Sequence, residues 1–455
     1  MDCETTDLGR RNMRIQLSDH FTYKRLLRFT VPTILMMIFT SLYTIVDGFF
    51  VSNYIGKSAF AAINLAMPIL MGIGTIGLMI GAGGSAIVTK TLGEGKKTRA
   101  NQYFSMLVYA GATLSFLFGV IGFVFARTIF SSFGATGELL ENCMVYGRIL
   151  LITSPTFVLQ MSFHAFFVAA EKPSLGLKVT IVAGLINVIL DYFLIVVFHW
   201  GISGAAVATL IGQMVGAFVP ILYFSKKNSS LLKFEKARFN GLVLYKALLN
   251  GSSEMVTHVS ASIVTILYNL QLMKMAGENG VAAYGVIQYI TFLFTSMFMG
   301  YSIGSAPIAS YNYGAENHFE LKNLFRKSLK LLLFAGLFLT ITSEILKEPI
   351  IYIFASYDAE LFRLTSHGLG IYLLAFLIMG LNIWGSAFFT ALNNGIISAS
   401  ISLLRTLVFQ VIAILVLPKL LGPNGIWWAI VVAELMTLIV TISLLIIKRK
   451  QYHYA

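Results

Sequence analysis

Five ionisable residues lie inside long apolar stretches of this 455-residue chain. They are Asp47, Asp191, Glu254, Arg405 and Glu434. A charged side chain inside hydrocarbon is costly unless it pairs with another group or reaches water, so such residues are rare and mark ion or substrate pathways. We therefore expect the chemistry of this protein at these five positions.

Asp191 lies deep in its apolar stretch and follows Asn187 by four residues. This spacing puts both side chains on one face of a helix. Thr209 lies at the same estimated depth in the next stretch, and Asp47 ends a polar stripe near the outer end of the first. We expect these four residues to form one oxygen-rich pocket.

Two neighbouring carboxylates cannot both stay charged in a dry site, so this pocket must share a proton or hold a cation. Either property makes it a coupling site for an ion. The alternative is that Asp47 lies in water at the membrane surface and that Asp191 only hydrogen-bonds Asn187. Apart from a sodium ion at these residues, no metal and no cofactor is expected.

Glu254 begins a second polar stripe, which continues through His258 at helical spacing. We interpret this stripe as the wall of a cavity wetter than lipid; the alternative is that Glu254 reaches the nearer membrane surface. Apolar, adaptable walls around a carboxylate suit varied lipophilic cations. The candidate lining residues are Glu254, His258, Tyr284, Gln288, Met67, Met161 and Phe163.

Arg405 and Glu434 lie on adjoining antiparallel segments. Their estimated depths differ by about three residues, which is roughly 5 Å at 1.5 Å per residue. We expect a structural ion pair, because an unpaired charge at that depth is costly. The alternative makes Glu434 a second substrate or proton site.

Helices that cross a membrane must carry these residues. The chain is 57% hydrophobic and 12% charged, with a mean hydropathy of +0.79, which leaves a soluble fold no polar surface. Twelve apolar runs are each able to cross about 30 Å of hydrocarbon. They are 26–50, 59–89, 103–126, 145–169, 176–198, 203–225, 244–274, 281–310, 328–354, 367–391, 396–418 and 425–447.

The two halves of the chain repeat each other at an offset of about 221 residues. Matching pairs include Gly56/Gly277, Gly83/Gly304, Gly93/Gly314, Gly147/Gly368, Gly201/Gly422 and Gly204/Gly425. Six segments per half give a parallel repeat, which is typical of alternating-access transporters. We expect an all-α membrane protein with twelve transmembrane helices in two pseudo-symmetric six-helix lobes.

Lys and Arg residues indicate the orientation. With both termini cytoplasmic, 25 of the 33 basic residues lie on the inner face and 7 on the outer face, as the positive-inside rule requires. The net charge of +13 therefore follows from topology, and no nucleic-acid partner is expected. The partners expected are the lipid bilayer and small organic cations, and we expect the protein to act as a monomer.

The expected organisation follows from these segments. The predicted parts are a cytoplasmic N-terminal tail (1–20), an N-lobe (21–225), a cytoplasmic inter-lobe linker (226–243), a C-lobe (244–447) and a cytoplasmic C-terminal tail (448–455). The first twenty residues lack the apolar core of a secretory signal. Cys3 in the tail and Cys143 in a predicted external loop cannot meet, so no disulfide is expected.

From about Phe21 to Lys450 the chain resembles the multidrug and toxic compound extrusion (MATE) transporters, which are twelve-helix cation antiporters. The resemblance lies in four features: Pro32 fifteen residues before Asp47, the run Gly48-Phe49-Phe50-Val51, the Asn187/Asp191 pair, and Thr209 eighteen residues later. It implies that Asp47, Asn187, Asp191 and Thr209 bind protons or sodium ions, that helix 1 bends at Pro32, and that Glu254 is an acidic position used by part of the family.

One departure from the family is visible in segment 10. Another part of the family has a carboxylate there, whereas residues 370–392 contain no Asp or Glu, and Asn382 is the strongly polar side chain at that depth. A C-lobe cation site of that type is therefore not expected.

The sequence thus predicts a bacterial inner-membrane antiporter that exports organic, mostly cationic compounds in exchange for protons or sodium ions, and not an enzyme. A lipid-linked saccharide flippase of the same superfamily is a second hypothesis; a cavity lined by Arg and Lys would favour it, but Arg405 is the embedded one. A membrane-embedded transferase is a third. It would need Asp-rich or His-containing motifs at a membrane face, which His164 and His258 do not form.

Overall fold

The computed structural model describes residues 15–356 and 358–455, and within these ranges the chain forms helices and no strand. Thirteen helices follow one another. They are α1 (Tyr23–Tyr54), α2 (Lys57–Gly93), α3 (Lys97–Ser132), α4 (Gly137–Ile152), α5 (Ser154–Ala169), α6 (Pro173–Val197), α7 (Gly201–Ser225), α8 (Gly241–Asn250), α9 (Ser252–Gly314), α10 (His318–Ala355), α11 (Ala359–Ala391), α12 (Gly395–Leu421) and α13 (Asn424–Tyr452). Residues 1–14 of the predicted tail, with Cys3, lie outside the described ranges.

In the described part of the chain, ten helices are long and apolar enough to cross a membrane, and the bent pair α4–α5 makes an eleventh span. Helix α9 has 63 residues, and its backbone is non-helical at Gly277, with φ 61° and ψ −150°. Counting its two parts separately gives the twelve predicted segments. The break falls at the residue that repeats Gly56, which separates α1 from α2 with φ 124°.

The same symmetry relates Gly201 and Gly422, whose φ values are 58° and 61°. Gly201 is the first residue of α7, and Gly422 lies two residues before the start of α13. Each of these helices is the last of its lobe. Residues other than glycine rarely adopt this left-handed region because of their Cβ. The repeat is therefore present in the backbone as well as in the sequence.

Two predicted segments are subdivided. Segment 145–169 extends back to Gly137 and consists of α4 and α5, which meet at 58°. Pro155 lies in the first turn of α5, where its missing N–H costs nothing. Segment 244–274 also contains two helices, because α8 ends at Asn250 and α9 begins at Ser252. The two end residues flank Gly251, whose backbone lies against that of Met79.

Both described ends of the chain lie at one face, which we call the terminal face. The backbone N–H of Phe21 donates to Glu320 Oε1 at 2.9 Å, in the first turn of α10. The ring of His453 packs with its centroid 4.7 Å from that of His318 at the start of the same helix. An even number of crossings places both termini on one side.

The N-terminal segment before α1 connects the two lobes at the terminal face. The N–H of Leu17 donates to Glu171 Oε1, in the turn between α5 and α6, at 2.7 Å. Four residues later, Phe21 is held by Glu320 of the C-lobe. Leu17 and Phe21 are both fully buried. This segment is therefore packed between the lobes.

The segment between α7 and α8 is also packed, against α3. The N–H of Lys233 donates to Asn101 Oδ1 at 3.1 Å, and that of Glu235 donates to Ser105 Oγ at 2.9 Å. Between them, the ring of Phe234 lies 5.1 Å from that of Phe104. The predicted linker thus has fixed contacts rather than a free extended path.

Helices of opposite lobes cross with almost no space between their backbones. A Cβ at Gly93 would collide with the carbonyl oxygen of Tyr311, and a Cβ at the repeat-related Gly314 would collide with that of Lys90. The crossing of α2 and α9 is therefore itself pseudo-symmetric, and it lies near the terminal face. It accepts only glycine at these two positions.

Candidate ion site and central cavity

A cavity inside the N-lobe brings together the residues predicted to couple an ion. Asp47 on α1, Asn187 on α6 and Thr209 on α7 all line it. Asp191 is fully buried one helical turn after Asn187, and its carboxyl group is a neighbour of that of Asp47. The helices α1, α6 and α7 thus assemble the predicted pocket.

This cavity concentrates buried oxygen atoms that have no hydrogen-bond donor in the described part of the chain. They are Asp47 Oδ1, both carboxyl oxygens of Asp191, Asn187 Oδ1, Thr209 Oγ1, Tyr146 Oη and Gln160 Oε1. Leaving a buried polar group unsatisfied costs about 1–3 kcal/mol. A carboxylate oxygen can only accept, so adjacent carboxylates require a proton or a cation between them. Hard oxygen ligands of this kind suit a proton or sodium.

The alternative arrangement, in which Asp47 lies in water and Asp191 only hydrogen-bonds Asn187, is not seen. Asp47 is 7% exposed rather than hydrated, and no hydrogen bond joins Asp191 to Asn187 in the described chain. Asp191 ends the regular part of α6, and the wide π-helical turn Tyr192–Val197 follows it. Such turns are frequent at functional sites because they rotate the side chains that follow.

The sequence analysis missed five polar residues of this cavity: Tyr43, Tyr146, Ser154, Gln160 and Gln213. The two glutamines gave a usable signal, since uncharged amides are uncommon in apolar runs. The tyrosines gave none, because tyrosine also packs at many interfaces between helices.

A second cavity lies between the lobes, and we call it the central cavity. Two of the predicted lining residues, Glu254 and Met161, line this cavity. The other lining residues belong to α1, α2, α5, α9, α11 and α12. Glu254 is half-buried in the first turn of α9. Its carboxylate accepts no hydrogen bond and forms no ion pair with the described residues, so it is available to a ligand.

Several residues expected to line the central cavity lie elsewhere. Met67 lines the N-lobe cavity instead. Phe163 is 1% exposed and packs in the N-lobe core, with its ring 6.0 Å from that of Phe224. It lies two residues after Met161, and two residues turn a helix by about 200° at 3.6 residues per turn. Phe163 therefore faces away from the cavity.

Tyr284 and Gln288 also lie outside the residues that line the central cavity. Tyr284 is 2% exposed and stacks on Tyr268 with ring centroids 4.5 Å apart. Gln288 donates from Nε2 to the Tyr284 hydroxyl. The polar stripe from Glu254 continues through Thr257 rather than His258. The ring nitrogen Nε2 of His258 is buried without a partner in the described chain.

Arg405 and Glu434 form an ion pair, with Arg405 Nε 2.8 Å from Glu434 Oε1. The Glu434 side chain is fully buried, and Asn382 Nδ2 donates to its other oxygen at 2.7 Å. Arg405 is 12% exposed and lines the central cavity. It lies in the π-helical turn Leu404–Val408. Asn382, the polar residue noted in segment 10, therefore orients the carboxylate behind this arginine.

Pro32 lies inside α1, between two close crossings with α9. A Cβ at Gly304 would lie 3.1 Å from Thr30, and one at Gly300 would lie 2.5 Å from Ile34. Proline lacks an N–H, so the carbonyl of Arg28 has no helical donor. The role of Pro32 as a hinge stays a prediction.

Among the described residues, no group of three or more His, Cys, Asp or Glu side chains is placed to hold a metal ion. Comparison with known proteins agrees with the two-lobed arrangement. The sequence profile of the MatE family matches residues 32–193 and 255–416, one copy in each half. The chain belongs to the MatE family.

The chain is similar to known proteins and solved structures over most of its length, at low sequence identity. The "Multidrug export protein MepA" of Staphylococcus haemolyticus (strain JCSC1435) is 24% identical over 415 residues, which are 90% of each chain. A solved structure described as the outward-facing conformation of a multidrug resistance MATE family transporter has a TM-score of 0.89 and 22% identity, and covers 94% of this chain and 96% of that one. A crystal structure of MATE in complex with MaL6 has a TM-score of 0.87 and 21% sequence identity, and the match covers 94% of this chain and 97% of that one.

Proposed function

We propose that this MatE-family protein is a secondary active antiporter, which exports organic, mostly cationic and lipophilic compounds in exchange for protons or sodium ions. The curated relative that it resembles over nine-tenths of both chains is named as a multidrug export protein. The proposal places the protein in the bacterial inner membrane as a monomer with a cytoplasmic terminal face.

One observation carries this proposal: α1 and α5 each line both cavities. On α1, Thr44 faces the N-lobe cavity and Thr40 faces the central cavity. On α5, the neighbouring residues Gln160 and Met161 do the same. An ion bound among the N-lobe oxygens and a compound bound centrally therefore contact the same two helices.

This shared wall supplies a physical basis for coupling. When a proton or sodium ion reaches Asp47 and Asp191, it removes the repulsion between the carboxylates and changes how α1 packs against α6. That change alters the central cavity through α1, and the exported compound leaves. A ligand shifts an equilibrium only by its differential affinity for the two states, and inward movement of one charge adds about 2.3 kcal/mol per 100 mV.

Uptake of a fluorescent organic cation into inverted vesicles tests the proposal, because export from the cytoplasmic face fills the lumen of such vesicles. A proton gradient and a sodium gradient are imposed separately, with vesicles lacking the protein as the control. We expect dye transport to follow one of the two gradients and to collapse when an ionophore dissipates that gradient. Transport that ignores both gradients would contradict the antiporter proposal.

The composition of the central cavity does not favour the flippase. Arg405 is the one Lys or Arg among the described residues that line it, and Glu434 already pairs with that arginine. A saccharide linked through phosphates would require several cations.

A further inference from the structure

Arg405 presents an unused hydrogen-bonding face to the central cavity. Its Nε donates to Glu434, while its two terminal nitrogens make no hydrogen bond to the described part of the chain. A guanidinium group has a second, end-on face made by these two nitrogens, and that face matches the two oxygens of a carboxylate. Asn382 holds the Glu434 carboxylate, and Glu434 in turn holds Arg405 through Nε, so the guanidinium is oriented from one side and its end-on face remains free.

The same cavity also presents one negative charge. Among the described residues that line it, Glu254 is the one acidic side chain and Arg405 the one Lys or Arg, and His164 also lines it. Glu254 and Arg405 are carried by different helices, α9 and α12. A ligand with only a positive charge would pair with Glu254 and leave both terminal nitrogens of Arg405, a side chain that is 12% exposed, without acceptors, which is unfavourable.

Between these charges the walls are apolar and adaptable. Met37, Met161 and Met299 contribute unbranched thioether side chains, which adjust to ligands of varied shape. A ligand that carries both charges on an apolar frame would satisfy Glu254, Arg405 and the walls together. Charge-assisted, two-point hydrogen bonds to a guanidinium are among the stronger polar contacts in proteins.

We propose that Arg405 is a specificity-determining residue of the central cavity, which binds the carboxylate of an amphoteric compound end-on while Glu254 holds the cationic group of that compound. This inference rests on the proposed export function and assigns a residue to its specificity.

Tetramethylrhodamine and its methyl ester provide a matched pair of probes, since both carry the same delocalised cation and only the first carries a free carboxylate. Binding is measured by fluorescence polarisation on the purified full-length protein, and efflux is measured in vesicles. Arg405→Lys keeps the charge beside Glu434 but loses the planar fork. We expect it to bind the acid about ten-fold more weakly, a loss of one two-point hydrogen bond, and to bind the ester unchanged.

Two further variants separate binding from folding. Glu254→Gln should weaken both dyes, because both share the cation. The double variant Arg405→Gln with Glu434→Gln removes the pair without leaving a buried charge, and it should again weaken only the acid. Thermal melting verifies that each variant is folded.

The outcomes are distinguishable. If the folded Arg405 variants weaken both dyes equally, or neither, the carboxylate site is wrong and Arg405 is structural only, while ester transport by the wild type still supports export. If the wild type moves neither dye under either gradient, the proposed function itself fails.

Discussion

The N-lobe cavity depends on a few oxygen atoms that the protein itself leaves without donors. Asp191 contributes two of them, and its neighbour Asp47 a third. In a folded protein such atoms are tolerated when a bound group satisfies them in at least one functional state. The energetic cost of the unsatisfied site is thus available to drive ion binding.

We predict that Asp191→Asn uncouples transport. The substitution keeps the size of the side chain but removes the charge that must change during a cycle. The folded variant should lose gradient-driven efflux, as should Asp47→Asn, whereas Asn187→Ala and Thr209→Ala should be impaired less because they remove neutral oxygens. Efflux in vesicles measures the effect. Glu138→Gln, an exposed carboxylate at the start of α4, serves as the control. Wild-type efflux by Asp191→Asn would move the coupling role to Glu254.

We predict that Arg405 and Glu434 stabilise the fold non-additively. Removing one partner leaves a buried charge, which costs about 3–5 kcal/mol. Arg405→Ala and Glu434→Ala should each lower the melting temperature of the detergent-purified protein, and the double variant should recover part of the loss. Strict additivity of the two shifts would show that the 2.8 Å contact has no energetic weight.

The sequence predicted the buried charges well and the cavity walls poorly. The proximity of Asp47, Asn187, Asp191 and Thr209 and the Arg405–Glu434 pair could be inferred because a charge in hydrocarbon must find a partner. The aromatic positions could not, since both the lipid and the protein interior accept them. Whether Phe163 or Met161 faces a cavity depends on the rotation of α5, which is set by its neighbours rather than by its own sequence.

At the scale of helices, the contacts between the lobes rely on glycines, which have no side chain to separate the two backbones. Gly93 and Gly314 let α2 and α9 approach until backbone meets backbone. Close packing of this type replaces the hydrophobic effect, which is absent between helices in lipid. The crossing is therefore sensitive to a single methyl group.

We predict that Gly93→Ala destabilises the protein and that Gly72→Ala on the same helix does not. A Cβ at Gly93 meets the carbonyl oxygen of Tyr311, whereas one at Gly72 has no atom within 4 Å. Replacing glycine by alanine inside a helix otherwise stabilises it by roughly 0.5–1 kcal/mol. Melting curves of the two purified variants should move in opposite directions. An unchanged or raised melting temperature for Gly93→Ala would show that the crossing of α2 and α9 is not tight.

Helix positions were predicted better than helix breaks. Every predicted apolar run coincides with one helix or with two consecutive helices, because run length and hydrophobicity decide membrane insertion. The bend at Thr153 and the separate helix α8 were missed, since Pro155 and Gly251 are tolerated inside many membrane helices. Their effect here comes from packing, as in the contact of Gly251 with Met79.

At the scale of the molecule, the internal repeat is preserved in the arrangement of the helices but not in the polar residues of the N-lobe cavity. The positions that repeat Asp47, Asn187, Asp191 and Thr209 are Tyr268, Val408, Ile412 and Ile430. Three of these four are aliphatic, so these positions do not repeat the oxygen cluster of the N-lobe. The two similar lobes therefore differ in their polar groups, since the N-lobe carries the buried oxygen atoms and the C-lobe carries the Arg405–Glu434 pair beside the central cavity.

We predict that the terminal face is cytoplasmic, because 25 of the 33 basic residues lie on that side of the predicted topology. Cys143 was expected in an external loop, but it is buried within α4 with its Sγ 3.8 Å from the carbonyl oxygen of Ala62, so it is a poor reporter. Helix α3 offers a better pair, since Thr98 and Ser132 are exposed at its two ends.

Single cysteines at Thr98 and at Ser132, introduced after Cys3 and Cys143 are changed to serine, turn this prediction into a labelling experiment. A membrane-impermeant maleimide applied to intact cells should modify Ser132→Cys and should reach Thr98→Cys only after permeabilisation. Both reporters lie on one helix, so expression and folding are matched. The reverse pattern would show that the protein has the opposite orientation in the membrane. Because the central cavity is fixed relative to the terminal face, the proposed direction of export would then be reversed as well.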